Sequence, residues 1–316
     1  MSVPAPQDRV IYHDGAFCRE GDAALSVGTQ ALHYGTGVFE GIRAYWSAEH
    51  DRLWLLKAAE HYRRMADSAR LLRIDLGHTV DELVDVSAEL LRRLGHRGDV
   101  YLRPLASKRA LEPGTRFGVR LRGVTSGLTI QALPMGDYMP ERGLRCTVTS
   151  WRRIPDSSLP SRAKVTGGYV NNALAMDEAA AAGYDDVIFL NQRGDVAEAS
   201  TANLFLVRDG RAATPGTDAD ILPGITRAAV LELLAAEAGI RVQERAVARS
   251  ELYTADEVFL VGTGCQVVPV TEIDGHPVGS GAPGPLTEKL RSLYGRLVRG
   301  AEPRYRSWLT PVRLDG

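Results

Sequence analysis

Val258-Phe259-Leu260-Val261-Gly262-Thr263-Gly264 is a short apolar run that ends in a glycine-bracketed turn, and it reads as a buried strand. Just upstream, residues 224–239 open with Pro223-Gly224-Ile225-Thr226 and set Val230, Leu233 and Leu234 on one face, the pattern of a helix. Further back lie strands over 186–190 and 203–207, flanked by turns at Arg193-Gly194 and Asp209-Gly210. An alanine-rich helix over 171–182 is closed by Gly183, and a strand precedes it over 146–151. The first third mixes elements in the same way. His13-Asp14-Gly15 turns a hairpin over 9–17, and a strand over 53–56 leads into a helix with Ala58, Tyr62, Met65, Ala69 and Leu72 at helical spacing. Thr79 and Glu82 form a capping box before a second helix, with Leu83, Val86, Leu90 and Leu94 on one face. Strands over 101–105 and 127–133 follow. Strands and helices alternate without a strict βαβ repeat, which predicts an α+β fold. Pro134-Met135-Gly136-Asp137-Tyr138-Met139-Pro140 has no periodicity, so residues 135–141 are read as a link between a smaller α/β domain, 1–134, and a larger one, 142–316.

A chain of 316 residues is more than one core usually holds, in keeping with two domains. Its 38 basic and 39 acidic residues leave a net charge of −1, which argues against a nucleic-acid or anionic-membrane partner. No apolar run is long enough to span a bilayer, and the N-terminus lacks the order of a secretory signal, so the expected location is cytoplasmic. Cys18, Cys146 and Cys265 are far apart and the histidines never reach HxH or HExxH spacing, so neither a disulfide framework nor a metal site is expected.

The chemistry has few carriers. Only four lysines occur, Lys57, Lys108, Lys164 and Lys289. Lys164 lies in Ser161-Arg162-Ala163-Lys164-Val165-Thr166-Gly167-Gly168-Tyr169, where glycines let a bulky ligand approach and Tyr169 offers a phenol. A solvated surface role is the alternative, and it is kept for the other three lysines. GxxxxGK[ST] is absent and no GxGxxG is read as the strand-to-helix fingerprint of a dinucleotide site, which argues against a nicotinamide fold or a P-loop. Two segments suit a single phosphate: the helix start Leu222-Pro223-Gly224-Ile225-Thr226 and the turn Gly262-Thr263-Gly264. Each is equally a helix cap or a strand-end turn. Glu198, alone among small residues in Val196-Ala197-Glu198-Ala199-Ser200-Thr201-Ala202-Asn203, could hold a cation or cap its neighbours.

A lysine amine, an anion cradle, a carboxylate and a phenol are together what pyridoxal phosphate requires. The chain resembles the class IV aminotransferases, and among them the branched-chain amino acid aminotransferases. The resemblance runs from Tyr12 to Trp308. It is most specific at Ala31-Leu32-His33-Tyr34-Gly35-Thr36-Gly37-Val38-Phe39-Glu40-Gly41-Ile42-Arg43, at Tyr101-Leu102-Arg103-Pro104, at the Lys164 segment and at Leu222 to Arg227. It implies a two-domain fold like that of D-amino acid aminotransferase, with a barrel-like larger domain and the cofactor between the domains. It implies that Lys164 is the Schiff-base lysine and general base, that Arg64, Ile225, Thr226 and Thr263 hold the phosphate, and that Leu222 packs on the ring. Tyr169 would bond the ring oxygen and Glu198 the ring nitrogen. Tyr34, Phe39, Gly41, Arg43, Tyr101, Arg103, Tyr138, Gly264 and Cys265 match positions around the substrate, with the backbone of Gly264 and Cys265 on the α-carboxylate. The implied reaction moves an amino group from leucine, isoleucine or valine to 2-oxoglutarate in a homodimer whose Tyr34 segment reaches the neighbouring pocket.

The chain departs from the family pattern at Ala199 and Ala202, where Gly and a second Glu are common, at Ala212, at Asn172 in place of serine, and over 110–119. Related enzymes acting on other L-amino acids, D-amino acids or amines, an aminodeoxychorismate lyase, and a pyridoxal-phosphate-binding dimer without turnover are the other readings. The Phe39-Glu40-Gly41-Ile42-Arg43 run with Tyr101 and Arg103 favours the branched-chain type.

Overall fold

A computed structural model describes residues 8–314. Its contacts divide into two compact units. One takes the chain up to Gly136, Ala163–Gly167 and everything from Arg296; the other takes Asp137–Arg162 and Gly168–Gly295.

The first unit is built on an antiparallel sheet. Its strands are β1 (Val10–His13), β2 (Ala16–Arg19), β3 (Gly37–Phe39), β4 (Ile42–Ser47), β5 (Arg52–Leu56), β6 (Val100–Leu111) and β7 (Val124–Pro134). The order is β5-β4-β6-β7-β1-β2, with Leu309–Val312 outside β5 and β3 also paired to β6. The β1–β2 hairpin closes through Asp14 and Gly15, at φ 44° and 98°, as an Asp-Gly turn requires. Three helices accompany the sheet: α1 (Gln30–Tyr34), α2 (Ala58–Leu71) and α3 (Val80–Leu94). The Thr79 hydroxyl accepts from Glu82 N while Glu82 bonds back to Thr79 N, so the expected capping box starts α3. Tyr62, Met65 and Ala69 bury one face of α2, as the spacing predicted.

β6 is longer than its sequence suggested because Pro104 sits inside it. A proline is tolerated in a central strand only where its missing N–H has no ladder partner. Pro104 faces the interruption between β3 and β4, where Glu40 N donates back to its carbonyl at 2.9 Å. The same interruption leaves Glu40 in the interior rather than in a ladder.

The second unit is a barrel. β8 (Leu144–Arg152), β9 (Asp186–Leu190), β10 (Val196–Ala199), β11 (Asn203–Arg208), β12 (Arg211–Thr214), β13 (Gln243–Glu244), β14 (Glu257–Gly262), β15 (Gln266–Ile273) and β16 (His276–Pro277) form one sheet. Its path β10-β9-β8-β15-β14-β11 closes because β10 also pairs with β11, at Glu198↔Asn203. Strand alternation divides the side chains. Leu144, Ile188, Leu204, Leu260 and Val268 fill one core, whereas Val187 and Phe189 pack with Ala175 and Ala179 of α4 (Tyr169–Ala181) in another. The one-turn spacing of those two alanines lets α4 lie close to the sheet. The helices α5 (Ile225–Ala238) and α6 (Pro285–Val298) complete the α-helices among the described residues. β15 escaped the sequence reading because Pro269 interrupts its pattern. No helix among the described residues is long and apolar enough to cross a membrane.

Candidate active site

In the first unit a buried carboxylate organises the site residues. Glu40, 0% exposed, accepts from Arg64 Nε at 2.7 Å on one oxygen and from Arg64 Nη2 at 2.8 Å on the other. Such forked pairs fix the guanidinium plane. His61, one turn before Arg64 on α2, bonds the second oxygen through Nδ1 at 2.8 Å. Burial alone would push the Glu40 carboxyl up, but the Arg64 and His61 contacts outweigh it and hold the group well below the usual carboxylate range. Burial pushes His61 down, so its ring is neutral near pH 7 and donates its Nδ1 proton to Glu40.

Lys164 is held by its backbone. Its N–H donates to Ser68 Oγ at 3.2 Å and its carbonyl accepts from Phe39 N at 3.1 Å. Ser68 in turn donates to the carbonyl of Arg64, which ties the lysine to the turn of α2 that carries the arginine. Gly35 makes this packing possible. At φ 64° it lies against Gly167, and a Cβ there would come within 2.6 Å of the Gly167 Cα.

The half-buried Lys164 Nζ lies 4.7 Å from the Phe39 ring centre, and the Arg103 guanidinium is also 4.7 Å from that centre. Arg103 Nη2 donates to the Tyr101 hydroxyl at 2.9 Å, while its buried Nε has no partner. Alternation along β6 puts Tyr101 and Arg103 on one face. Gly41 is required beneath them, because a Cβ there would overlap the Tyr101 phenol. Thus Phe39, Gly41, Tyr101, Arg103 and Lys164 come together.

Arg43 stands opposite Tyr101 in the β4–β6 register. Its side chain is buried, donates to the Met135 carbonyl at 2.9 Å, faces Asp99 at 3.5 Å and stacks on Tyr45. Tyr34 lies on α1 beside Phe117, with ring centres 6.4 Å apart. Two lysines expected in solvent are not there. Lys108 is buried and donates to the Val124 carbonyl at 3.0 Å, and burial lowers its pKa. Lys57 lies over the Trp308 ring at 3.9 Å. Each has the long alkyl stem that makes such burial possible.

The second unit presents another buried carboxylate. Glu198, 6% exposed, pairs through Oε1 with Arg153 Nη2 at 2.8 Å. Its Oε2 accepts from Asn203 Nδ2 at 2.9 Å and from Leu222 N at 3.1 Å. Asn203 also donates to the Leu222 carbonyl, so the carboxylate is tied directly to the loop that starts α5. Ile225 and the buried Thr226 occupy the first turn of that helix, where unpaired N–H groups favour an anion. Tyr169 opens α4, and Thr263, Gly264 and Cys265 form the turn between β14 and β15. The Tyr138 hydroxyl sits 2.7 Å from where a Gly264 Cβ would stand. Burial pushes the Cys265 thiol up to about 12, so it is no thiolate at neutral pH. Among the described residues, no group of three or more His, Cys, Asp or Glu side chains could hold a metal.

The family model for amino-transferase class IV matches residues 37–273. The chain belongs to the class IV aminotransferases. It is 46% identical over 302 residues to a probable branched-chain-amino-acid aminotransferase of Aquifex aeolicus, covering 95% of this chain and 96% of that one. The branched-chain-amino-acid aminotransferase of Escherichia coli K12 is 36% identical over 96% of this chain and 97% of its own length. Among solved structures, the Thermoproteus uzoniensis branched-chain aminotransferase with norvaline superposes with a TM-score of 0.90 at 40% identity, over 96% of this chain and 99% of the other. The Thermobaculum terrenum branched-chain amino acid aminotransferase in its PLP-bound holo-form also scores 0.90, at 36% identity over 98% of this chain and 99% of the other. Class IV aminotransferases use pyridoxal phosphate.

Glu40, His61, Ser68 and Arg153 were not singled out as functional from the sequence. A lone glutamate between an apolar run and Gly41 was the one available signal for Glu40. The others sit at ordinary positions, and only their partners give them meaning.

Proposed function

We propose that the chain is a branched-chain L-amino acid aminotransferase that moves the amino group of leucine, isoleucine or valine to 2-oxoglutarate with pyridoxal phosphate. The observation that carries this reading is the hydrogen-bonded unit of Glu198, Asn203 and Leu222. It couples a buried anion, fit for a pyridinium, to a helix start, fit for a phosphate. The donor sets therefore suit the group. When bound, the cofactor supplies an electron sink for the bond broken at the substrate Cα.

The chain's own residues do the rest. Lys164 Nζ takes the proton from Cα and returns it on the other side of the exchange. Glu198 keeps a proton on the ring nitrogen, and the Tyr169 phenol bonds the ring oxygen. Arg64, the N–H groups of Ile225 and Thr226, and the Thr263 hydroxyl hold the phosphate, while Leu222 packs on the ring. The Gly264 and Cys265 N–H groups hold the substrate α-carboxylate. Phe39, Tyr34, Tyr101 and Tyr138 supply apolar contact, with Gly41 leaving room. Arg103, whose buried Nε lacks a partner, receives the side-chain carboxylate of glutamate. Arg43, opposite Tyr101 in the β4–β6 register and braced by the Met135 carbonyl and Asp99, lies on the substrate side with Tyr101 and Arg103.

A visible absorption scan of the cofactor-loaded protein tests this. Addition of L-leucine should convert the visible band to the shorter-wavelength amine form, and 2-oxoglutarate should restore it. A band that ignores L-leucine but responds to a D-amino acid or a simple amine would overturn the substrate assignment.

A homodimer is part of the same proposal. Val27 is 86% exposed and Phe117 and Val119 are 70% exposed, with Leu32 and Tyr34 nearby in sequence or space, more apolar surface than an isolated chain usually displays in one place. Sedimentation equilibrium showing only a monomer at micromolar concentration would overturn it. The three unpaired cysteines accord with a reducing, cytoplasmic location.

A further inference from the structure

Arg153 follows the last residue of β8, and its N–H is fixed to the Leu190 carbonyl at 2.9 Å. Its guanidinium spreads over three acceptors: Glu198 Oε1 at 2.8 Å, Asn172 Oδ1 at 3.3 Å and the Asp220 carbonyl at 3.4 Å. The Phe189 ring lies beneath it, 5.6 Å away. Asn172, itself buried, is anchored on its other side by a hydrogen bond from Nδ2 to the Ser200 carbonyl, two residues beyond Glu198. The arginine is therefore aimed from several directions, and its only charged partner in this set is Glu198.

A buried carboxylate beside a pyridine nitrogen has two ways to share one proton. Loss of water favours the uncharged pair, with the proton on the carboxyl and a neutral ring, because both charges are costly away from solvent. A guanidinium in direct contact with the carboxylate reverses that preference. The neutral donors Asn203 and Leu222 N act in the same direction but carry no charge. We propose that Arg153 is a positioning residue that keeps Glu198 ionised and aimed, so that the proton stays on the cofactor ring nitrogen, and that Asn172 holds Arg153 in that role. This rests on the pyridoxal-phosphate reading above.

The test uses the holoenzyme loaded with pyridoxal phosphate labelled with 15N at the ring, observed by 15N NMR at about pH 7.5 alongside steady-state kinetics. The unmodified enzyme should show a protonated ring nitrogen. Arg153→Gln should move the resonance towards the neutral-pyridine position and lower kcat about 10- to 100-fold, with KM changed less than about threefold. Arg153→Lys, which keeps the charge but not the fork, should recover most of the shift. Asn172→Ala should fall between Lys and Gln. A wild-type resonance in Arg153→Gln, whether or not kcat falls, would overturn the proposal, since a merely structural role leaves ring protonation untouched. Should Arg153→Gln fail to fold, wild-type resonances and kcat in both Arg153→Lys and Asn172→Ala would overturn it equally. Failure of the unmodified protein to take up the cofactor would bring down the functional reading and this inference together. A protonated ring in the unmodified enzyme with unmoved variants brings down this inference alone.

Discussion

Glu40 and Glu198 are both buried glutamates paired with an arginine, yet the two pairs are built for opposite ends. Arg64 grips Glu40 with two N–H groups and His61 adds a third contact, so the carboxylate is spent on aiming a cation. Arg153 meets one oxygen of Glu198, and the neutral donors Asn203 and Leu222 N hold the other. There the anion itself is displayed. The lesson is that a buried ion pair is read from how each partner's remaining hydrogen-bonding capacity is used, not from the pairing alone. In the first unit the working group is positive and suits a phosphate; in the second it is negative and suits a pyridinium.

The contrast can be broken most forcefully at Glu40. Glu40→Gln leaves Arg64 without its counter-charge, and loss of one partner of a buried pair should cost about 3–5 kcal/mol in denaturant unfolding. The same variant should release pyridoxal phosphate more readily, with kcat largely kept at saturating cofactor. A normal cofactor affinity would show that Glu40 does not aim Arg64. Glu198→Gln should do the reverse, lowering kcat about 10²- to 10³-fold with much less effect on cofactor affinity. Comparable affinity losses in the two variants would erase the distinction drawn between them.

A smaller effect is expected at the substrate end. Arg103→Ala should lower kcat/KM for glutamate about tenfold or more relative to leucine, because only glutamate brings a second carboxylate. Equal losses for both amino acids would remove Arg103 from side-chain recognition.

The smallest effect is on pH dependence. The native His61 pKa lies below its ordinary 6.5, so the unfolded chain binds the extra proton and stability falls as pH drops through about 6.5. The Glu40 pKa is lowered from its ordinary 4.5, so its contribution is present above that value and lost as pH falls below it. Thermal midpoints from about pH 8 to 4 should therefore decline in two stages. His61→Gln should flatten the upper stage alone; an unchanged profile would mean that His61 does not titrate with folding.

Much of this was legible along the chain. The capping box at Thr79, the turns at Asp14-Gly15 and Gly262-Thr263-Gly264 and the apolar faces of α2 and α5 depend on neighbours a few residues apart, so local pattern finds them. Lys108 was misjudged as a surface lysine because nothing beside it in sequence reports that Val124 and Ser126 lie opposite its amine. β15 was missed because Pro269 is a poor strand residue unless its partner strand leaves that N–H position unused. Arg43 and Arg103, two residues of one type in equally specific motifs, take different partners only in the fold: one reaches Asp99 and the Met135 carbonyl, the other the Phe39 ring and the Tyr101 hydroxyl.

The sequence by itself determined the chemistry available: one lysine in a glycine-rich segment, a lone glutamate before an asparagine, a helix start opened by Pro223-Gly224. Those are properties of residue type and short spacing, and they survive in the unfolded chain. Tertiary structure decided what each charge is for. Glu40 meets Arg64 across 24 residues and Arg153 meets Glu198 across 45, separations at which no local pattern operates. Only the closed barrel and the interrupted β3–β4 edge remove enough water around these carboxylates for an arginine contact to govern where a proton resides.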